Sequence, residues 1–288
     1  MPLRSDVVGE SLRPLVLEVT PRRALAFAAG LGDVSAASLD DAAPGFVASP
    51  LLCVSLEWQS VIGGRNALLG LSDEEGRRGV HAGQDTRFLA PLPVGRKVRV
   101  EGRVVTVRRT PAGALSTSRI HVRDSRSGRL ISTTLSTAIY RGVAVEGDDH
   151  SIEPPDPAVA PDAGEDWAET TIPLDRGFAH RYSECADIWN PIHTERSVAL
   201  AAGLADIIVH GSALWALAGL AVTRGRGGGA AARLRRLTGR FTAMVPAGSP
   251  VTVRHGRSAT EPAAAVFAVV GGNGQMAVTH GRAEFGDP

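Results

Sequence analysis

The chain carries one fourteen-residue phrase twice. Residues 87–100 read RFLAPLPVGRKVRV and residues 240–253 read RFTAMVPAGSPVTV, and 7 of the 14 positions are identical without a gap. Each copy is a short strand, a Pro/Gly turn and then an alternating strand (Val98 and Val100; Val251 and Val253). Such a repeat constrains the fold strongly, because the answer must be one unit built twice.

The surroundings repeat too. A helix-like stretch precedes each copy, Pro50–Ile62 and then Gly211–Thr223, and a shorter helix precedes that, Pro21–Gly30 and then Asp175–Cys185. Two further strands follow each copy. They are Leu115–Asp124 and Leu130–Arg141, joined through Ser125–Gly128, then Ala263–Val270 and Gln275–Phe285, joined through Gly271–Gly274. Between the halves, Glu146–Glu165 holds four Pro, and five acidic residues precede Ala158. It reads as a linker or surface arm. The expected architecture is α+β, a long helix covering an antiparallel sheet, made twice and joined edge to edge. Residues 1–145 form the first repeat, 146–165 the linker and 166–288 the second repeat.

Composition narrows the class of protein. With 288 residues, 43% of them hydrophobic, the chain can bury a full core, which excludes a disordered or collagenous protein. No apolar run reaches the roughly 18 residues of a membrane span, and the N-terminus lacks the basic and apolar regions of a signal peptide. A net charge of +1 gives no basic excess for nucleic acid. Cys53 and Cys185 read as reduced thiols, so a cytoplasmic protein without membrane or nucleic-acid partners is expected. No metal-spaced cluster, phosphate loop or dinucleotide fingerprint is present, and no metal or cofactor is expected.

Divergence between the repeats points to a site. At an offset of 154, Gly32–Asp41 aligns with Ala186–Glu195, and Asn190, Pro191 and His193 stand where the first half has Ala36, Ala37 and Leu39. The second half thus carries a polar, proton-active loop. The first half, rich in Ala and Gly, is left to supply the wall or tunnel for the rest of a ligand.

The stretch Tyr182-Ser-Glu-Cys-Ala-Asp-Ile-Trp-Asn-Pro-Ile-His193, followed by Ile207-Ile-Val-His-Gly211, Arg240-Phe-Thr-Ala and Pro246-Ala-Gly248, resembles the MaoC-like family of (R)-specific enoyl-CoA hydratases, or hydratase 2. The signal spans about 120 residues of the second half, and the first half resembles the degenerate N-terminal repeat of two-domain members. The resemblance implies a double hot-dog fold, an antiparallel sheet wrapped around a central helix in each half. It also implies reversible hydration of a 2-enoyl thioester to a (3R)-hydroxyacyl thioester, with acyl-CoA or an acyl-carrier thioester as substrate. A thioesterase on the same fold, or an inert acyl-CoA-binding subunit of a dehydratase complex, is the alternative. The chain would act as a monomer or a homodimer.

His193 suits the acid/base roles by its near-neutral pKa, and Asn190 can orient water or hold the loop. Gly211 opens the long helix, where an unpaired N–H and close approach favour an anionic oxygen. The resemblance makes this region the oxyanion hole and pairs His193 with an Asp. At that Asp the chain departs from the family, because Ile188 holds the position and Asp187 stands one residue earlier. Either Asp187 still reaches in or the acid is lost, with Glu184 and Glu195 as substitutes. His210 reads as capping or bonding near the helix start, and Tyr182 as a pocket wall. The run Arg233–Arg240 is either a solvated strand face or a phosphate edge. Arg233, Arg235 and Arg236, which have no match in the first repeat, are its candidates for the CoA phosphates.

Overall fold

Each half builds the predicted helix and antiparallel sheet. A computed structural model of the chain describes residues 2–62, 64–153, 164–228 and 233–286. The first half supplies β1 (Leu15–Val19), β2 (Gly79–Phe88), β3 (Arg96–Thr110), β4 (Gly113–Asp124), β5 (Leu130–Arg141) and β6 (His150–Ser151). The second half supplies β7 (Gly164–Ile172), β8 (Leu234–Phe241), β9 (Val251–Ser258), β10 (Ala264–Gly271) and β11 (Met276–Phe285). They form one 11-stranded sheet in the order β6-β3-β4-β5-β2-β8-β11-β10-β9-β7, with β1 also on β3. Every pairing in it is antiparallel.

The four main helices are α1 (Pro21–Gly30), α2 (Cys53–Ile62), α3 (Phe178–Ala186) and α4 (Gly211–Arg226). Thr20 starts α1 by accepting the Arg23 amide at 3.1 Å, with Pro21 at the first helical position. Residues 212–223 of α4 are all buried, which suits a helix enclosed by its own sheet. Gly219 lets α4 lie close to its neighbours, because a Cβ there would stand 2.7 Å from Leu237 and 3.2 Å from Leu51. Helix α2 takes the same place over the first-half strands.

The two sheets meet through the repeated Arg–Phe strands, with β2 pairing β8 from Arg87↔Arg236 to Gly83↔Arg240. The seam is tied by Arg236, whose guanidinium grips Asp85 at 2.8 and 2.6 Å and reaches Glu284 at 3.3 Å. Arg236 is only 8% exposed.

Some borders differ from the sequence reading. The stretch before α2 is a 3₁₀ turn, Pro50–Leu52. Helix α3 starts at Phe178, because the Asp175 carboxylate accepts the Gly177 amide at 2.7 Å and holds the preceding residues in a turn. Within the expected linker, Val145–Glu146 pairs with Leu3–Arg4, and His150–Ser151 pairs on β3. Residues 154–163 of that linker lie outside the described residues. Among the described residues no helix is long and apolar enough to cross a membrane.

Candidate active site

The site begins where α3 stops. Asp187 ends the helix in the left-handed region, at φ 54° and ψ 40°, a conformation that Asp tolerates better than most residues. The chain then runs extended to Asn190, whose Oδ1 accepts the Ile192 amide at 3.3 Å and starts the 3₁₀ turn Pro191–His193. Pro191 takes the first position of that turn, where its missing N–H costs nothing. The turn presents His193.

His193 is held by a backbone carbonyl: its Nδ1 lies 2.8 Å from the Ile208 oxygen. A carbonyl can only accept, so Nδ1 carries the proton and Nε2 keeps its lone pair. Burial lowers the His193 pKa to about 4, opposed by that hydrogen bond, so the ring is neutral near pH 7. His210 stacks on it with ring centroids 3.7 Å apart. The His210 Nε2 pairs with the Ser183 hydroxyl at 3.0 Å. Burial, and then the neighbouring His193, push its pKa well down. His210 precedes α4 but its side chain does not cap the helix. Tyr182 is fully buried beneath these rings, and its hydroxyl donates to Ser212 at 3.3 Å.

His193, Asn190, His210 and Gly211 line one cavity of about 430 Å³. A Cβ on Gly211 would stand 3.3 Å from the Phe241 ring, so the glycine keeps the helix start open beside that ring. The other wall comes from the first half. Val54, Glu57, Trp58 and Val61 of α2 share one face at helical spacing and look into the cavity.

The remaining candidates are not brought here. The Asp187 carboxylate turns outward, 65% exposed, to Arg23 at 3.1 Å, and its carbonyl accepts Gln59 at 2.7 Å. It is not among the cavity's lining residues, whereas Ile188, at the family's Asp position, is. Glu184 and Glu195 are exposed. Arg236 is committed to Asp85 and Glu284, and Arg233 donates to the carbonyls of Gly227 and Gly286. Arg235 is exposed on β8, and none of the three lines the cavity. The expected phosphate edge is therefore largely a structural seam.

The sequence reading missed Glu57. It is 3% exposed and lines the cavity, where its carboxyl accepts Thr134 at 2.6 Å and Gln84 at 3.2 Å. The available signal was a lone acid on the apolar stripe Val54–Trp58–Val61. Burial raises Glu57 from 4.5 to about 7, against hydrogen bonds from Thr134, Gln84 and Cys53. An acid raised on folding contributes fully below its unfolded pKa and loses that contribution as pH rises through the folded one. The stability of wild type relative to Glu57→Gln should therefore fall by roughly 3 kcal/mol between about pH 4 and about pH 8. Urea unfolding across that range measures the difference, and a constant value would refute the raised pKa.

Comparison with known proteins agrees with the fold and the motif. Residues 165–278 match the MaoC like domain model. The chain is 32% identical over 191 residues to 3-hydroxyacyl-thioester dehydratase Y of Mycobacterium tuberculosis, covering 65% of this chain and 64% of that protein. The chain thus spans somewhat less than two thirds of the relative's length. The MaoC-like dehydratase structure from Phytophthora capsici superposes with a TM-score of 0.83 at 19% identity, over 98% of both chains. A double hot-dog protein of M. tuberculosis superposes at 0.65 and 15% identity, over 95% of this chain and 94% of that one. The fold is the double hot dog.

Proposed function

We propose, for a chain whose residues 165–278 match the MaoC like domain, that the protein is a hydro-lyase interconverting a 2-enoyl thioester and a (3R)-hydroxyacyl thioester. The observation that carries the reading is the neutral His193 with a free Nε2 in a cavity shared with Gly211. In the hydration direction His193 Nε2 takes a proton from water as the water oxygen bonds to C3 of the enoyl group. Electrons move onto the thioester oxygen, where the Gly211 amide at the uncapped start of α4 stabilises the enolate. The imidazolium then returns its proton to C2, so H and OH add to the same face and His193 ends neutral. The Asn190 Oδ1 is engaged with Ile192, which leaves its amide N–H groups to hold the water. CoA is the expected carrier of the acyl group.

In this reading the Ile208 carbonyl orients His193, and Asp187 closes a helix and clasps the two halves. Asp187→Asn keeps a residue suited to positive φ and removes only an exposed ion pair, worth about 0–1 kcal/mol. Its kcat/KM should stay within about fivefold of wild type. A hundredfold loss would put Asp187 into the chemistry. The reading itself is tested with crotonyl-CoA and a long-chain 2-enoyl-CoA, following loss of the conjugated-thioester absorbance. Release of free CoA without hydration would mark a thioesterase, and no change with either substrate would contradict the hydratase reading.

A further inference from the structure

Resting on that thioester reading, we propose that the acyl group this site takes carries a neutral hydrogen-bonding substituent, a hydroxyl or a ketone, on the part of the chain that enters the first half. Phe241 of β8 lines the cavity beside both Gly211 and the first-half residue His81. Its ring lies 3.3 Å from the Cβ position of Gly211 on one side and 4.6 Å, centroid to centroid, from the His81 ring on the other. From the first half, Ile120, Ala138, Val54 and Val61 line the same cavity and offer the apolar surface that an alkyl chain needs. The same wall also presents Glu57, Gln84 and Ser136.

These polar groups form a patch set by strand register. Gln84 sits beside Ser136 and Ser136 beside Ser118, while Thr86 sits beside Thr134 in the next row. Glu57 reaches down from α2 onto Thr134 and Gln84. The hydroxyls of Ser116 and Ser118, 2% and 1% exposed and off the cavity wall, have no partner among the described residues. The His81 Nε2 is likewise unpaired.

The repeat provides an internal control. The buried residues at alternate positions of β10 in the second half are Ala265, Phe267 and Val269, so the fold itself does not demand polarity under its helix. Each buried polar group left unpaired costs about 1–3 kcal/mol. Glu57, Gln84 and Thr134 bond to one another, so what a plain alkyl chain would leave unsatisfied on the cavity wall is the His81 Nε2, which a hydroxyl or ketone would join. A carboxylate tail would meet Glu57 and is disfavoured.

The test is calorimetric binding of saturated ligands, which the enzyme cannot turn over: hexanoyl-, octanoyl- and decanoyl-CoA with their ω-hydroxy and ω-carboxy counterparts. In wild type at least one ω-hydroxy ligand should bind roughly tenfold tighter than its alkyl partner, the value of one well-made buried hydrogen bond. Glu57→Leu should erase that preference and Glu57→Gln should keep it. Gln84→Leu should also erase it, which serves if Glu57→Leu does not fold. Equal or tighter binding of the alkyl ligands in wild type would overturn the proposal. So would tightest binding of an ω-carboxy ligand, which would point instead to Arg65 on the cavity wall. No binding of any acyl-CoA would overturn the thioester reading beneath it.

Discussion

Replacing His193 with Ala should lower kcat/KM for a 2-enoyl-CoA roughly a thousandfold, the range of a general acid/base acting on both proton transfers. Among the described residues, the second half offers no other group to inherit the role. His210 stacks on the same ring but its Nε2 is held by Ser183, and no carboxylate of the second half lines the cavity. The wild-type pH profile should show the same residue. A base held at about 4 stays unprotonated through the mildly acidic range, so the acid limb of kcat/KM should fall near pH 4 and not near the ordinary histidine value of 6.5. Stability follows the same sign. The unfolded chain takes up the His193 proton near 6.5 and the folded one only near 4, so stability should decline as pH falls between those values and level off below. A His193→Ala variant retaining more than a tenth of wild-type activity would refute the assignment.

The second large effect is structural. Replacing Arg236 with Leu should destabilise the protein by about 3 kcal/mol, because the largely buried Asp85 would lose its two-bond cation, while Glu284 keeps Arg282 at 3.2 Å. Thermal or urea unfolding measures it. Substituting Asp85 with Leu as well should recover part of the loss, since an apolar pair in a buried seam often replaces an ion pair at little cost. The KM for acyl-CoA should be unchanged in the Arg236 variant. A rise in KM without loss of stability would return Arg236 to phosphate recognition.

These outcomes show which features were local in the chain. The doubled Arg-Phe phrase foretold two copies of one unit, because strand alternation and a Pro/Gly turn are short-range properties. The edge-to-edge joining was expected, but only the structure shows that the strands carrying the phrase, β2 and β8, are the ones that pair. Asn190 and His193 were singled out by the divergence of the repeats and by the family motif, and the cap and Pro that shape their loop act within four residues of one another.

Arg236 and Asp187 were misdirected by the same local logic. An alternating Arg run resembles a phosphate edge until β2 is placed beside β8 and Asp85, opposite Thr238, comes within reach of Arg236. Asp187 stands one residue from its expected place, and in the left-handed residue that ends a helix this one step aims the carboxylate at Arg23, 164 positions away in sequence. Glu57 required the fold most of all. A lone acid on an apolar helix face acquires its neighbours Thr134 and Gln84 only when two strands and a helix are packed together. Sequence alone therefore determined the repeat, its secondary structure and the histidine loop, all governed by contacts a few residues apart. Tertiary structure alone decided which charges are paired and which line the cavity, because both depend on burial and on partners brought from the other half of the chain.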